Sequence, residues 1–161
     1  MIQRIQTLYL LIALFLMVSM FFFDSVQLLT PEGDQFMLSL TGYFTLLDGE
    51  RVMEHRQHGL SFMGAVTTLL TLATLLLYKK RVIQMRFCLY NIVMGSGLFL
   101  IMLLQIFPAK NAMQAELFLK LPFVFPPIFA ILSWLAFRGV RNDHLLITSV
   151  DRLRSYKRRK P

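Results

Sequence analysis

The sequence predicts an all-α membrane protein: a four-transmembrane-helix bundle with a small extracytoplasmic β-hairpin-like loop and a cytoplasmic amphipathic C-terminal helix. Three observations carry that prediction. Apolar residues make up 56% of the 161 residues and charged residues only 16%, where soluble domains run near a quarter charged. The mean hydropathy is +0.58. The apolar residues also fall into four blocks, about 5–23, 60–78, 87–107 and 121–140, the first three without any Asp, Glu, Lys, Arg or His and the fourth without one before Arg138. A helix of about 20 residues crosses the hydrocarbon core, and backbone in hydrocarbon must satisfy its own hydrogen bonds, which favours helices. The whole chain, 1–161, reads as one integral membrane domain.

The first block follows Arg4 and ends Met20-Phe21-Phe22-Phe23-Asp24. It is longer than a signal-peptide core and no small-residue cleavage site follows, so it reads as a retained helix. The outer loop, 24–59, has two short strand-like runs, Val26–Thr30 and Phe36–Thr41, around a Pro31-Glu32-Gly33-Asp34 turn. Two strands alone are marginal in water and need helix ends or a partner to pack on. Asp48-Gly49 reads as a second turn and Glu50–His58 as an extension of the second helix.

The second block carries Ser61, Gly64, Thr67, Thr68, Thr71 and Thr74, and the third carries Gly95-Ser96-Gly97. Small and hydroxyl residues at this spacing let helices approach closely, within the bundle or in a homodimer contact. Asn91, inside the third block, needs a hydrogen-bond partner in hydrocarbon; Thr7, Ser19, Gln105 and Ser133 are lesser cases. Cys88, the single cysteine, excludes an internal disulfide and a thiol relay. The fourth block contains Pro122 and Pro126-Pro127. Either the helix is kinked in its outer half or it begins near Pro126.

Charge orients the chain. Residues 1–4, 79–86 and 138–161 hold thirteen Lys and Arg and two acids; residues 24–59 and 108–120 hold four and seven. Lys and Arg are retained on the cytoplasmic side. The prediction is a multi-pass protein of the cell inner (plasma) membrane with both termini cytoplasmic. The tail, 141–161, spaces Leu146, Val150 and Leu153 on one helical face among many cations. It reads as a surface helix through Leu153 or as a disordered basic tail.

Chemistry is sparse. His55 and His58, with Glu54 beside them and Asp48 nearby, stand at i, i+3, but no third ligand has a defined spacing. No serine has a Gly elbow and no Gly-rich phosphate loop occurs. No catalytic, cofactor-binding or metal residue is assigned, and no cofactor. Arg4, Lys79, Lys80, Arg81, Arg86, Arg152 and Arg154 are the candidate contacts to lipid or a partner, and Asn91 the intramembrane polar candidate. The implied partners are membrane lipids, with anionic headgroups at the cytoplasmic face, and a membrane-protein partner or second copy. Nucleic acid is not implied, because the cations follow a membrane span without a groove-reading framework.

The start, Met1-Ile2-Gln3-Arg4-Ile5-Gln6-Thr7-Leu8-Tyr9-Leu10-Leu11, and the end, Ser149-Val150-Asp151-Arg152-Leu153-Arg154, resemble a bacterial family of small four-helix inner-membrane proteins of unknown function. The resemblance spans the chain. It implies location and topology and supplies no mechanism. The two motifs together suggest that Asp151 pairs with Arg4. The function expected is a non-enzymatic scaffold or assembly partner. The alternatives are a small transporter or lipid-binding subunit built on Asn91, Gly95–Gly97 and a broken fourth helix, and a membrane enzyme acting at its outer face through Asp48, Glu54, His55 and His58.

Overall fold

A computed structural model of the chain describes residues 2–31, 34–47 and 50–158; the side chains of 2–4, 47, 50, 55, 79, 147, 148 and 150–158 lie outside the described set. In chain order the elements are α1 (Ile2–Ser19), β1 (Val26–Leu29), β2 (Gln35–Leu38), β3 (Gly42–Leu47), β4 (Glu50–Arg56), α2 (His58–Leu76), α3 (Arg81–Met113), β5 (Glu116–Leu119) and α4 (Phe125–Arg158). Short 3-10 turns, Leu77–Lys79 and Leu121–Val124, lead into α3 and α4.

The expectation of an all-α bundle is corrected here. The four helices carry a five-stranded antiparallel sheet, ordered β4-β3-β2-β1-β5. Residues 42–47, part of the expected outer loop, and 50–56, expected to extend the second helix, are a third and a fourth strand with Leu47 opposite Glu50; the Asp48-Gly49 turn itself lies outside the described residues. The aromatic and β-branched content around that Asp-Gly pair is a hairpin signal. The fifth strand comes from far along the chain. Gln114, at φ 47°, closes α3 in the left-handed region, and the reversed chain then lays Glu116–Leu119 against β1. A two-stranded ribbon of this length lacks partners; three more strands supply them.

The helix ends also differ from expectation. Pro126 and Pro127 occupy the first turn of α4, where a missing amide donor costs little, so no kink is required. The same helix then runs 34 residues without a break into the basic tail, about 51 Å at 1.5 Å per residue. The tail therefore continues α4 and is not a separate surface helix. In α3, 33 residues long, the helix passes through Pro108.

One sequence rhythm builds the helical layer. The buried positions are Gln6, Leu10, Ala13, Met17 and Met20 after and along α1, Leu60, Gly64, Thr67, Thr71 and Thr74 on α2, Gln84, Cys88, Asn91, Gly95, Leu98 and Met102 on α3, and Phe129, Ser133, Ala136, Val140 and Asp143 on α4. Steps of three and four residues keep one face turned inward, the pattern of left-handed bundle packing. The sheet sits at the end where α1 and α3 finish and α2 and α4 begin. Its inner face, Val26 and Leu38 with Tyr43 and Leu117 beside them, joins the same core as Met17, Met20, Leu60, Leu98, Met102, Ile106, Phe123 and Phe129. Leu40 docks the sheet on α2. It is fully buried, it lies where a side chain on Gly64 would stand, and its carbonyl accepts from Ser61 Oγ at 3.0 Å.

The helix exteriors are as apolar as the interior. Phe15, Phe62, Leu69, Val93, Leu104 and Ile131 are all exposed. Three helices, His58–Leu76, Arg81–Met113 and Leu121–Leu146, are long and apolar enough to cross a membrane, and in each only 28% of the apolar window is buried. The fourth, Ile5–Ser19, is apolar and shorter.

Candidate functional site

The core is not uniform along its length. Toward the sheet Met, Leu, Ile and Phe dominate, with Ser25 and Ser39 buried among them; toward the other end Gln6, Gln84 and Asp143 are buried. At mid-depth Asn91 is fully buried. Its Nδ2 donates to Thr74 Oγ1 at 3.1 Å. The Thr71 hydroxyl, whose proton goes to the Thr67 carbonyl at 2.7 Å, stands 3.5 Å from Asn91 Oδ1. Thr74 and Thr67 likewise donate to carbonyls one turn back. Asn91 thus ties α3 to the threonine face of α2. The amide is taken up and the arrangement is a lock between two helices. Among the lesser polar residues, Ser19 donates to the Phe15 carbonyl, while Gln105 Oε1 and Ser133 Oγ are buried without a partner among the described residues.

A second polar group gathers where α1 begins, α4 passes and α3 starts. Gln6 Nε2 donates to Asp143 Oδ2 at 2.9 Å, both side chains nearly buried. Gly139, one turn before Asp143, makes room: a Cβ there would meet Gln6 Cγ at 2.8 Å. Beside this pair lies a cavity of about 40 Å³ lined by Gln6, Thr7, Tyr78, Arg81 and Gln84. Gln84 is 4% exposed. Arg81 is half-buried, whereas Lys80 and Arg86 are exposed.

Of the sequence-predicted contacts, the structure therefore draws Arg81 into a cluster and leaves Lys80 and Arg86 on the surface. Lys79, Arg4, Arg152 and Arg154 have side chains outside the described residues, and so do Asp151 and His55; the Arg4–Asp151 pairing falls there, as does Asp48. Gln6 of the N-terminal motif meets Asp143. His58 and Glu54 are exposed, and Glu54 Oε2 accepts from Thr45 at 2.9 Å. Among the described residues no three His, Cys, Asp or Glu side chains are grouped to hold a metal. Sequence reasoning missed Gln84 and Asp143. Gln84 was legible as the residue seven before Asn91, on the same helix face.

At the sheet end the electrostatics centre on Asp24, just before β1. Arg51 at the start of β4 reaches across the outer sheet face, over the Phe44 ring with its guanidinium 5.2 Å from the centroid, and pairs with Asp24. Lys120 Nζ approaches the other Asp24 oxygen at 3.9 Å. One carboxylate thus ties the first strand to both edges of the sheet. Tyr43, on the inner face, has its hydroxyl pushed above the usual phenol range by burial, with a hydrogen bond to Gln57 drawing it partly back.

A family model described as a domain of unknown function, DUF4293, matches residues 2–153. The chain belongs to the DUF4293 family. The match takes in α1 to α3, all five strands and α4 as far as residue 153, and it includes the polar group at Gln6, Gln84 and Asp143. No curated protein matches the chain. The family description assigns no activity to the DUF4293 domain.

Proposed function

We propose that this chain is an integral protein of the bacterial inner membrane that works without catalysis, as a scaffold or assembly partner. The helical layer lies in the bilayer. The sheet is extracytoplasmic, and the end that carries Gln6, Arg81 and Asp143 is at the cytoplasmic leaflet together with both termini. One observation carries this reading. Each of the three long apolar helices leaves most of its apolar surface uncovered, and soluble monomers rarely expose contiguous apolar patches beyond a few hundred Å². Hydrocarbon is the solvent that such a surface fits. The orientation rests on the surplus of Lys and Arg at the end away from the sheet. The non-catalytic role rests on what the polar groups do: Asn91 with its threonines, Gln6 with Asp143, and Asp24 with Arg51 each tie elements together. What the fold presents outward is a sheet braced for rigidity.

Labelling of single cysteines tests the placement, in a background where the buried Cys88 is replaced by serine. Asp34→Cys on the sheet should react with an impermeant maleimide in intact cells, and Lys80→Cys only after permeabilisation. The reverse order, or extraction of the protein by alkaline carbonate, refutes it. Mild-detergent purification tests the scaffold role. A stoichiometric membrane-protein partner that is lost when the outer sheet face is altered, for example by Phe44→Glu, supports the role; a lone monomer counts against it.

A further inference from the structure

The group at the start of α3 has the chemistry of an anion site. Lys80 supplies no side-chain cap to α3, and no acid stands in its first turn. The first amide donors of that helix are therefore left without an intrahelical partner or a carboxylate. A helix start alone would mean little. The cavity beside this one is also faced by Gln84, which is 4% exposed and makes no side-chain hydrogen bond among the described residues. The Gln84 amide is not among the sealed, unpartnered buried atoms but opens on the cavity, where a ligand would take it up. Arg81 lines the same space and has no acidic partner among the described residues.

Size narrows the occupant. A water needs roughly 10–15 Å³ of such volume, so a cavity of about 40 Å³ holds two or three oxygen-sized atoms and no bulky organic group. Gln6 has one amide hydrogen committed to Asp143, and its second remains to be donated. The Asp143 carboxylate accepts from Gln6 and is not among the lining residues. Donors from Arg81, Gln84 and Gln6 around a space for two or three oxygens suit a tetrahedral oxyanion, with guanidinium the preferred cation for it.

We propose that this cavity receives the phosphate of an anionic phospholipid, its oxygens entering between Arg81, Gln84 and Gln6 while its acyl chains lie along the apolar exterior. The assignment rests on the membrane reading above, which puts the cavity at the level of the inner-leaflet headgroups. Soluble phosphate presents the same oxygens, and the lipid is favoured because the cavity lies at the end of the bundle that carries the surplus of Lys and Arg. The bound lipid would join α1, α3 and α4 at the end where no sheet braces them.

Native mass spectrometry of the detergent-purified full chain tests this with phosphatidylglycerol, phosphatidylcholine and inorganic phosphate as probes. Wild type should retain one phosphatidylglycerol in preference to phosphatidylcholine. Arg81→Gln and Gln84→Met should each weaken that binding at least tenfold, while Arg86→Gln, which removes an exposed cation outside the cavity, should weaken it less than threefold. Unchanged elution and melting show that each variant is folded; if Arg81→Gln is not, the size-conserving Gln84→Met carries the test. Displacement of the lipid by millimolar inorganic phosphate, with the same dependence on Arg81 and Gln84, confirms the phosphate site and assigns it to soluble phosphate; resistance assigns it to the lipid. Equal losses in Arg81→Gln and Arg86→Gln, or none in the two cavity variants, overturn the site. Should that happen while the protein still resists carbonate extraction, the membrane reading stands and only the lipid site falls.

Discussion

Gly95 and Gly97 sit two residues apart on α3, and replacing each by alanine separates packing from helix propensity. Alanine improves the intrinsic helix preference at both sites by about 1 kcal/mol. The surroundings differ. A Cβ at Gly95 would stand 2.5 Å from Phe129 Cδ1 and 2.9 Å from its Cε1; at Gly97 it meets only the Met63 terminal methyl, at 3.0 Å. Met63 is partly buried and its chain end can swing aside. Phe129 is fully buried within the core, so its ring has nowhere to go without displacing α4. Overpacking of this kind costs about 1–3 kcal/mol. Gly97→Ala should therefore be neutral or slightly stabilising, and Gly95→Ala should be less stable than Gly97→Ala by about 1–3 kcal/mol, the propensity gain being common to both. Reversible unfolding in mixed micelles, followed by the fluorescence of the single tryptophan, Trp134 on α4, measures the difference. Phe129→Leu should rescue Gly95→Ala, with a coupling of about 1 kcal/mol or more in a double-mutant cycle. If Gly95→Ala is as stable as Gly97→Ala, or if the double mutant is simply additive, α3 and α4 do not meet through this glycine.

Three further outcomes follow from the polar contacts. Asn91→Ala should lower stability by about 0.6–1.7 kcal/mol for the lost cross-helix hydrogen bond, plus a packing loss, while Thr71→Val should cost less because the Thr71 proton goes to its own helix; the same unfolding assay ranks them. Asp24→Asn should loosen both sheet edges without unfolding the helices: Arg51 and Lys120 are 50% and 35% exposed, so each pair contributes no more than about 1 kcal/mol, and amide exchange in β4 and β5 should quicken while α2 and α3 are unchanged. Tyr43 titrates above the usual phenol value because of burial; its contribution is full below the unfolded value near 10 and is lost as pH rises from there through the folded value, so wild type should lose stability over that alkaline range and Tyr43→Phe should lose less.

The helices were legible because apolar runs of bilayer-spanning length have few readings other than a helix. Their inward faces were partly legible as well. Gly64, Thr67, Thr71 and Thr74, named in the sequence for close helix approach, are buried along α2, and Asn91, named for its need of a partner, is buried on α3. The strands were harder to read for physical reasons. Strand pairing depends on residues distant in sequence, and β5 lies nearly ninety residues after the β1 it completes. Within 42–56 the alternation is broken by the register shift at Tyr43/Phe44, which leaves Glu54 unpaired opposite β3. The charges at Glu50, Arg51, Glu54 and Arg56 then resemble a solvated helix start as much as an edge strand. Helix ends failed for the opposite reason, since local signals were overruled. Proline at 108 does not stop α3, and the proline pair at 126–127 opens a helix it might have broken.

Hydropathy averages also conceal how polarity is graded along the bundle axis. Met17, Met102 and Phe129 fill the interior near the sheet; Asn91 and Thr74 mark its middle; Gln6, Gln84 and Asp143 occupy the far end. The step is three or four residues throughout, so these polar groups hold places that Leu or Ile would fill in a bundle built for stability alone. At mid-depth the cost of burial is offset inside the protein, because Asn91 finds Thr74. At the basic end Gln6 finds Asp143 and Gln84 faces the cavity, whereas the fully buried atoms without a partner among the described residues, Ser25 Oγ, Gln57 Oε1, Gln105 Oε1 and Ser133 Oγ, lie elsewhere. If the cavity at that end is completed by a headgroup phosphate, replacing Gln84 by methionine should show it: the variant should be as stable as wild type in lipid-free detergent, and should lose the extra stability that phosphatidylglycerol confers on the wild-type protein.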